Sequence, residues 1–255
     1  MIDPSNLSIA ESVWMPYCQE APGARLTLFC FHCAGSGASM FRAWRQHIPK
    51  DIDLRPIQLP GRENRLKETP YTHIEPLVED ATQALTPHLS RPFAIFGHSM
   101  GALVAFEVAR KIRSTSRLEP AHLFLSSYPA SQLVRSRQAM ANLPEDEFLV
   151  RAADYHWIPE QLLRNRELTT AIAEILRADV ATCESYAYRH DAPFECPVSV
   201  FGGQKDPYVS RDELLAWQDH ALGPFKLRLF PGDHSYHQES RQRLLSVISA
   251  ELEQA

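Results

Sequence analysis

Residues 93–109, Phe-Ala-Ile-Phe-Gly-His-Ser-Met-Gly-Ala-Leu-Val-Ala-Phe-Glu-Val-Ala, constrain the fold more than any other stretch of the chain. An apolar run at 93–96 meets Gly97-His98-Ser99-Met100-Gly101, and helical periodicity follows at once. The pattern predicts a buried strand, a sharp turn with a serine at its tip, and a helix. Glycines flanking such a turn leave room for a strained backbone that lifts the Ser99 hydroxyl clear of a sheet, and the next helix points its N-terminal amides at the same place. Gly101, Ala102 and Ala105 are small enough for helix and sheet to approach closely.

The rest of the chain supplies the sheet. Residues 26–31 form a continuous apolar strand of the kind buried on both faces. It runs into His32-Cys33-Ala34-Gly35-Ser36-Gly37-Ala38, where glycines let backbone amides approach a ligand. A dinucleotide fingerprint would need a third glycine where Met40 stands, and the chain has no Gly-Lys-Ser/Thr phosphate loop, so an anion-stabilising loop is expected. Residues 40–48 predict a short helix with Phe41, Trp44 and Ile48 on one side. A second strand at 54–59 is marked as an edge or irregular one by Pro56. The turn Pro60-Gly61-Arg62-Glu63-Asn64-Arg65 follows, and composition alone predicts a solvated loop for Arg62 and Arg65. Ile74, Leu77, Val78, Ala81, Leu85 and Leu89 repeat at helical spacing, and 122–127 reads as a further strand. Strands alternating with helices predict an α/β fold with a mostly parallel central sheet flanked by helices.

The alternation stops between about 128 and 189, where Phe148, Ala152, Ile158, Ile172 and Leu176 lie at helical spacings. This helical insertion of about sixty residues exceeds what a connection needs and, following the strand beside the Ser99 strand, is expected to cover the active site as a lid. Strand pattern resumes at 198–201 and is closed by Gly202-Gly203-Gln204-Lys205-Asp206-Pro207. Ser210 and Glu213 predict a capping box. Residues 225–230 alternate as a strand, Pro231-Gly232-Asp233-His234 turns, and a last helix is expected at 239–253.

A chain of 255 residues, 44% hydrophobic, holds one substantial core, and a single domain over 1–255 is expected. A net charge of -5 argues against broad binding to nucleic acid or anionic membrane. Residues 1–5 lack a basic-then-apolar leader pattern, and no apolar run nears the roughly eighteen residues of a membrane span, so a cytoplasmic protein is expected. The 5 cysteines have no disulfide-framework spacing, which fits a reducing compartment. Cys30 and Cys33 make a Cys-x-x-Cys, but Cys30 falls inside a strand and no second pair exists, so both are expected to pack rather than to bind zinc or cycle redox. With no His-Glu-x-x-His and no paired Cys or His cluster, neither metal nor cofactor is expected.

A serine hydroxyl is a poor nucleophile near neutral pH and needs a base, whose tautomer needs a partner. Asp206 and His234 each sit just past a predicted strand, on the edge where the turn presents Ser99, and the order Ser99, Asp206, His234 is that of α/β-hydrolase triads. Asp233 and Asp179 are rival acids; His237, His122, His98 and His32 are rival bases. Two backbone amides are positioned for an oxyanion, those of Met100 after the nucleophile and Ala34 in the glycine loop.

Residues 28–31 into Ala34-Gly35-Ser36, Leu59-Pro60-Gly61-Arg62-Glu63, Gly97-His98-Ser99-Met100-Gly101, Leu176-Arg177-Ala178-Asp179 and Gly202-Gly203 to Asp206-Pro207 together resemble the type II thioesterases of polyketide and nonribosomal peptide synthesis. The resemblance spans about 14–250. It implies an α/β-hydrolase fold with a mobile lid and hydrolysis of acyl or aminoacyl groups from the phosphopantetheine arm of a carrier protein. Ser99 would take the acyl group; His234 would protonate the departing thiol and then activate water. It also implies that Arg62 is more than solvated surface, in a role left open. Two positions depart from the pattern. His32-Cys33 stand where the family usually has Pro and then Tyr or His, which puts the loop's rigidity in question. Ser235-Tyr236 replace the usual Phe-Phe, so a more polar acyl wall is expected. Carrier proteins are generally acidic, and Arg135, Arg137, Arg151, Arg164 and Arg166 are candidates for a basic docking face or, alternatively, a solvated lid surface. A monomer is expected. A general carboxylesterase or lipase, and a non-catalytic acyl-binding protein, are the competing readings.

Overall fold

The computed structural model describes residues 13–18, 21–133, 139–155, 157–158 and 166–254. Its sheet is built from β1 (Leu26–Phe31), β2 (Ile52–Ile57), β3 (Phe93–His98), β4 (His122–Ser126), β5 (Val198–Gly203) and β6 (Phe225–Phe230), in the order β2-β1-β3-β4-β5-β6. Every pairing is parallel, where the sequence predicted a mostly parallel sheet. Parallel strands need covered faces on both sides, and alternate residues supply them. Phe29, Phe31 and Ile95 pack with the helices Ile74–Leu85 and Met100–Ser116. Leu26, Leu28, Cys30 and Phe96 pack on the opposite face with Phe41, Trp44, Leu244 and Ile248. Cys30 is therefore a core residue, and both it and Cys33 are free thiols.

Local differences from expectation have local causes. Residues Ala38–Gln46 form a 3-10 helix, whose three-residue repeat places Ala38, Phe41 and Trp44 in one buried row. The helix from Ile74 ends at Leu85, and a 3-10 turn with Pro87 in its first positions takes over. The C-terminal helix is two pieces, Tyr236–Glu239 and Arg241–Leu252. Pro56 lies on β2, an edge strand as expected.

The chain places β2 on one side of β1 and β3 on the other. Strand order reverses there, and the crevice outside the carboxyl ends at such a point is where open α/β sheets bind ligands. The loop after β1 and the turn carrying Ser99 both open into it. The helix Met100–Ser116 approaches that point so closely that a Cβ on Gly101 would lie 2.2 Å from the Phe31 carbonyl oxygen. The insertion contributes the helices Glu145–Asp154 and Arg166–Glu184, with a small core of their own around Phe148, Ala152, Ile158 and Leu176. Leu176 and Val180 also face the cavity above Ser99, so the insertion roofs the crevice.

Gly101→Ala is expected to lower the unfolding free energy by about 3 kcal/mol or more. Urea denaturation should read this as a clear drop in midpoint. Gly23→Ala, with nothing within 4 Å of the added Cβ, is the matched control and should stay near wild type.

Candidate active site

Ser99 follows β3 with φ +55 and ψ -124, an outlying conformation for a non-glycine residue. Its amide donates to the Ser126 carbonyl at 2.7 Å, and its carbonyl accepts from the Ala102 amide at 2.8 Å. Asp206 lies just beyond β5, where its Oδ1 accepts the amides of Tyr208 at 2.9 Å and Val209 at 3.3 Å. That turn anchors one carboxylate oxygen and leaves Oδ2 for the ring of His234, 2.8 Å from Nδ1. The loop bearing His234 passes so close over the end of β5 that a Cβ on Gly203 would sit 2.0 Å from the Asp233 carbonyl.

A carboxylate can only accept, so the His234 proton sits on Nδ1 and Nε2 keeps a free lone pair. Nε2 is 3.0 Å from Ser99 Oγ, in reach of the hydroxyl proton. Burial alone would raise the Asp206 pKa; the hydrogen bond from His234, its charge and the Tyr208 amide outweigh burial and hold it below the usual carboxylate value. Two further histidines crowd the site. Burial, and then the charges of His237 and His234, hold His98 well below its ordinary value. His237 is pushed down to about 4 by burial and then by His234. Both are neutral at pH 7, so neither places a full positive charge beside His234.

Ser99 and His234 open into a cavity of about 1030 Å³ that Ala34 and Met100 also line. Aromatic residues of the insertion and of the loop after β5, Tyr155, Trp157 and Tyr208 among them, supply much of its wall. Sequence reasoning missed Tyr208, whose ring meets His234 edge-on at 5.3 Å while its hydroxyl donates to the Tyr155 carbonyl at 2.5 Å. Its position two residues after Asp206 was the available signal.

The rival acids are engaged elsewhere. Asp233 accepts from the Ser235 amide within its own turn. Asp179 receives a bidentate pair from Arg62, at 2.6 and 2.8 Å, and the Gly35 amide at 2.8 Å. Arg62 and Arg65 are 4% and 7% exposed, which overturns the solvated-loop expectation: Arg65 donates to the Gln58 carbonyl and pairs with Glu68. Tyr236 also departs from expectation. It is fully buried, stacks on Phe230 at 5.2 Å and bonds Ser126 Oγ at 2.6 Å, so of the Ser235-Tyr236 pair only Ser235 lines the cavity.

A second serine, histidine and carboxylate meet at Ser199, His122 and Glu251, with His122 Nε2 2.9 Å from Ser199 Oγ and 3.3 Å from the Glu251 carboxylate. Here serine and carboxylate share one ring nitrogen, and the Ser199 hydroxyl donates to Glu251 itself. Among the described residues no acid holds the other nitrogen, none of the three lines the cavity, and all three are buried. Glu251 in addition pairs with Arg228 at 3.0 Å and Lys226 at 3.4 Å, so the cluster ties β6 to the last helix.

The model of the thioesterase domain family matches residues 26–252. The chain belongs to the thioesterase family. The gramicidin S biosynthesis protein GrsT of Aneurinibacillus migulanus is 39% identical to it, over 94% of this chain and 93% of that one. The RedJ thioesterase from the prodiginine biosynthetic pathway in Streptomyces coelicolor superposes with a TM-score of 0.84 at 34% identity, covering 94% of this chain and 99% of that one. The type II thioesterase BorB from the borrelidin biosynthetic cluster superposes at 0.83 with 30% identity, covering 94% and 98%. This chain is likewise a type II thioesterase with the α/β-hydrolase fold and is an enzyme of the serine-hydrolase kind.

Among the arginines considered for docking, Arg135, Arg137 and Arg164 lie outside the described residues, as does the side chain of Arg166. Arg151 pairs with Glu147 at 3.8 Å on the exposed face of the insertion. Among the described residues, no helix is long and apolar enough to cross a membrane.

The Glu251 cluster makes the stability of the fold depend on pH. Burial would raise the Glu251 pKa, but hydrogen bonds from His122, Ser199 and Arg228 bring it down to about 2, below its unfolded value of roughly 4.3. A depressed carboxylate contributes stability that is present above the unfolded pKa and lost as pH falls through the folded one. Glu251→Gln should therefore destabilise the thioesterase most above about pH 4 and progressively less toward pH 2. Urea midpoints across that range measure it.

Proposed function

We propose that this thioesterase hydrolyses acyl or aminoacyl thioesters carried on the phosphopantetheine arm of an acyl or peptidyl carrier protein, with Ser99 as nucleophile, His234 as general base and acid, and Asp206 as the group that sets the histidine tautomer. The observation that carries the assignment is the continuous relay from the Asp206 carboxylate through both nitrogens of His234 to Ser99 Oγ, ending in the cavity.

The chemistry follows in two balanced halves. Ser99 Oγ adds to the thioester carbonyl as its proton passes to His234 Nε2. The oxygen that gains the electron pair is stabilised by amides, for which Ala34 and Met100 are the candidates. When the carbonyl re-forms, the carbon–sulfur bond breaks and His234 returns the proton to the departing thiol. Water then adds to the acyl-serine, gives its proton to His234, and the acid leaves as Ser99 recovers its hydrogen.

The carrier-bound substrate is supported by the biosynthetic settings named for the relatives, among them borrelidin and gramicidin S formation. A general esterase would use the same relay, so substrate preference separates the two. On an acylated carrier protein, Ser99→Ala is expected to abolish hydrolysis while Ser199→Ala keeps it within about twofold. Asp206→Asn should lower kcat by about 10³–10⁴, as expected when the histidine tautomer is no longer held. Hydrolysis of short p-nitrophenyl esters far faster than of the carrier thioester would favour the esterase. Unchanged turnover by Ser99→Ala would remove the assignment altogether.

A further inference from the structure

An amide serves an oxyanion only if its peptide plane holds one orientation. In the loop after β1 that plane is the Cys33–Ala34 peptide. A trans peptide points its N–H opposite its carbonyl, so whatever fixes the Cys33 carbonyl also aims the Ala34 amide. The Cys33 carbonyl accepts from the Ser36 amide at 3.2 Å and lies 2.9 Å from His32 Nδ1. A carbonyl only accepts, so the His32 proton is on Nδ1 and donates to it. Burial, and then the Arg62 charge, push His32 down to about 4, so the ring is neutral in the working range.

The next peptide is fixed from the roof. The Gly35 amide donates to Asp179 Oδ2 at 2.8 Å, and Asp179 belongs to the insertion helix Arg166–Glu184. Arg62 grips both oxygens of that carboxylate and also donates to the Ser36 carbonyl at 3.1 Å and the Pro60 carbonyl at 3.2 Å. Leu176, on the same helix, packs directly over Gly35. The pair is buried, with side chains 5% and 4% exposed. A buried ion pair is a weak source of stability compared with apolar residues of similar volume, so stability alone does not account for it. Direction does: a carboxylate and a guanidinium fork can hold particular amides and carbonyls in place, which apolar contacts cannot.

We propose that Asp179, Arg62 and His32 are positioning residues that aim the Ala34 amide at the oxyanion, and that through Asp179 this aim depends on the insertion helix being seated over the cavity. The inference rests on the assignment of Ala34 as an oxyanion donor. It gives Arg62 a role, and it gives the loop a substitute for the proline that the family usually carries at the position of His32.

The test replaces the ion pair by apolar residues, Arg62→Met together with Asp179→Leu, which leaves no unpaired buried charge and removes the acceptor of the Gly35 amide. His32→Phe, which removes the donor to the Cys33 carbonyl and leaves the ion pair intact, is the second variant, used in the same way if the double variant does not fold. Active sites are counted by end-point labelling with a fluorophosphonate, and kcat and KM are measured on an acylated carrier protein and on p-nitrophenyl butyrate. The expected result is full labelling and cooperative thermal unfolding, with kcat per labelled site at least about tenfold lower on both substrates and KM within about twofold. Affinity for a boronic acid that mimics the tetrahedral state should fall in parallel. Unchanged kcat per labelled site, or a loss confined to KM, overturns the proposal. The underlying assignment fails separately: an active Ser99→Ala overturns both, whereas an inactive Ser99→Ala beside a fully active double variant overturns only the positioning role.

Discussion

The backbone of Ser99 is the constraint on which the remainder depends. A non-glycine residue at φ +55 and ψ -124 costs on the order of 1–3 kcal/mol and persists only where its surroundings leave no alternative. Here the Ser99 amide is bonded to the carbonyl of Ser126 on the neighbouring strand, and the helix that begins at Met100 is pressed against β1 at Gly101. Relaxing the turn would break that bond and slide the helix across the sheet. Because all the strands are parallel, the loops after β1, β3, β5 and β6 leave from the same edge, which delivers Ala34, Ser99, Asp206 and His234 to one place.

Polar side chains inside the molecule show that composition does not decide role. Ser99, His234 and Asp206 use both nitrogens of one imidazole and open to the cavity. Ser199, His122 and Glu251 contain equivalent groups, but serine and carboxylate share a single nitrogen in a sealed part of the fold. The first set faces the cavity in one continuous hydrogen-bonded line, and the second holds the C-terminal helix to the sheet. Arg62 and Asp179 form another kind of polar site, in which an ion pair spends its remaining hydrogen bonds on loop backbone. Each depends on burial, since all three would be weakened by competing water.

The insertion joins these sites. Its own core makes it a separate packing unit, yet its inner face meets the cavity through Leu176 and Val180 and the glycine loop through Asp179. Tyr208 links it to the other end of the relay, touching the His234 ring and bonding the Tyr155 carbonyl at the end of an insertion helix. The roof thus bears on both the histidine and the glycine loop.

Much of this was legible in the residues taken in order. Apolar runs marked the strands because a sheet covered on both faces tolerates little else, and the Ser210 and Glu213 capping box formed as predicted because its partners are neighbours in the chain. The shared face of Phe41 and Trp44 was visible too, although the element that carries them is a 3-10 helix that starts earlier, at Ala38. Local pattern thus set the elements, their order and the shape of the turn at Ser99. Tertiary packing decided the rest: that Tyr236 turns into the core instead of the acyl wall, that Arg62 finds a carboxylate 117 residues away, and which serine and histidine share a cavity. Side-chain direction and long-range partners follow from how helices and loops stack on the sheet, and spacing along the chain carries no record of that geometry.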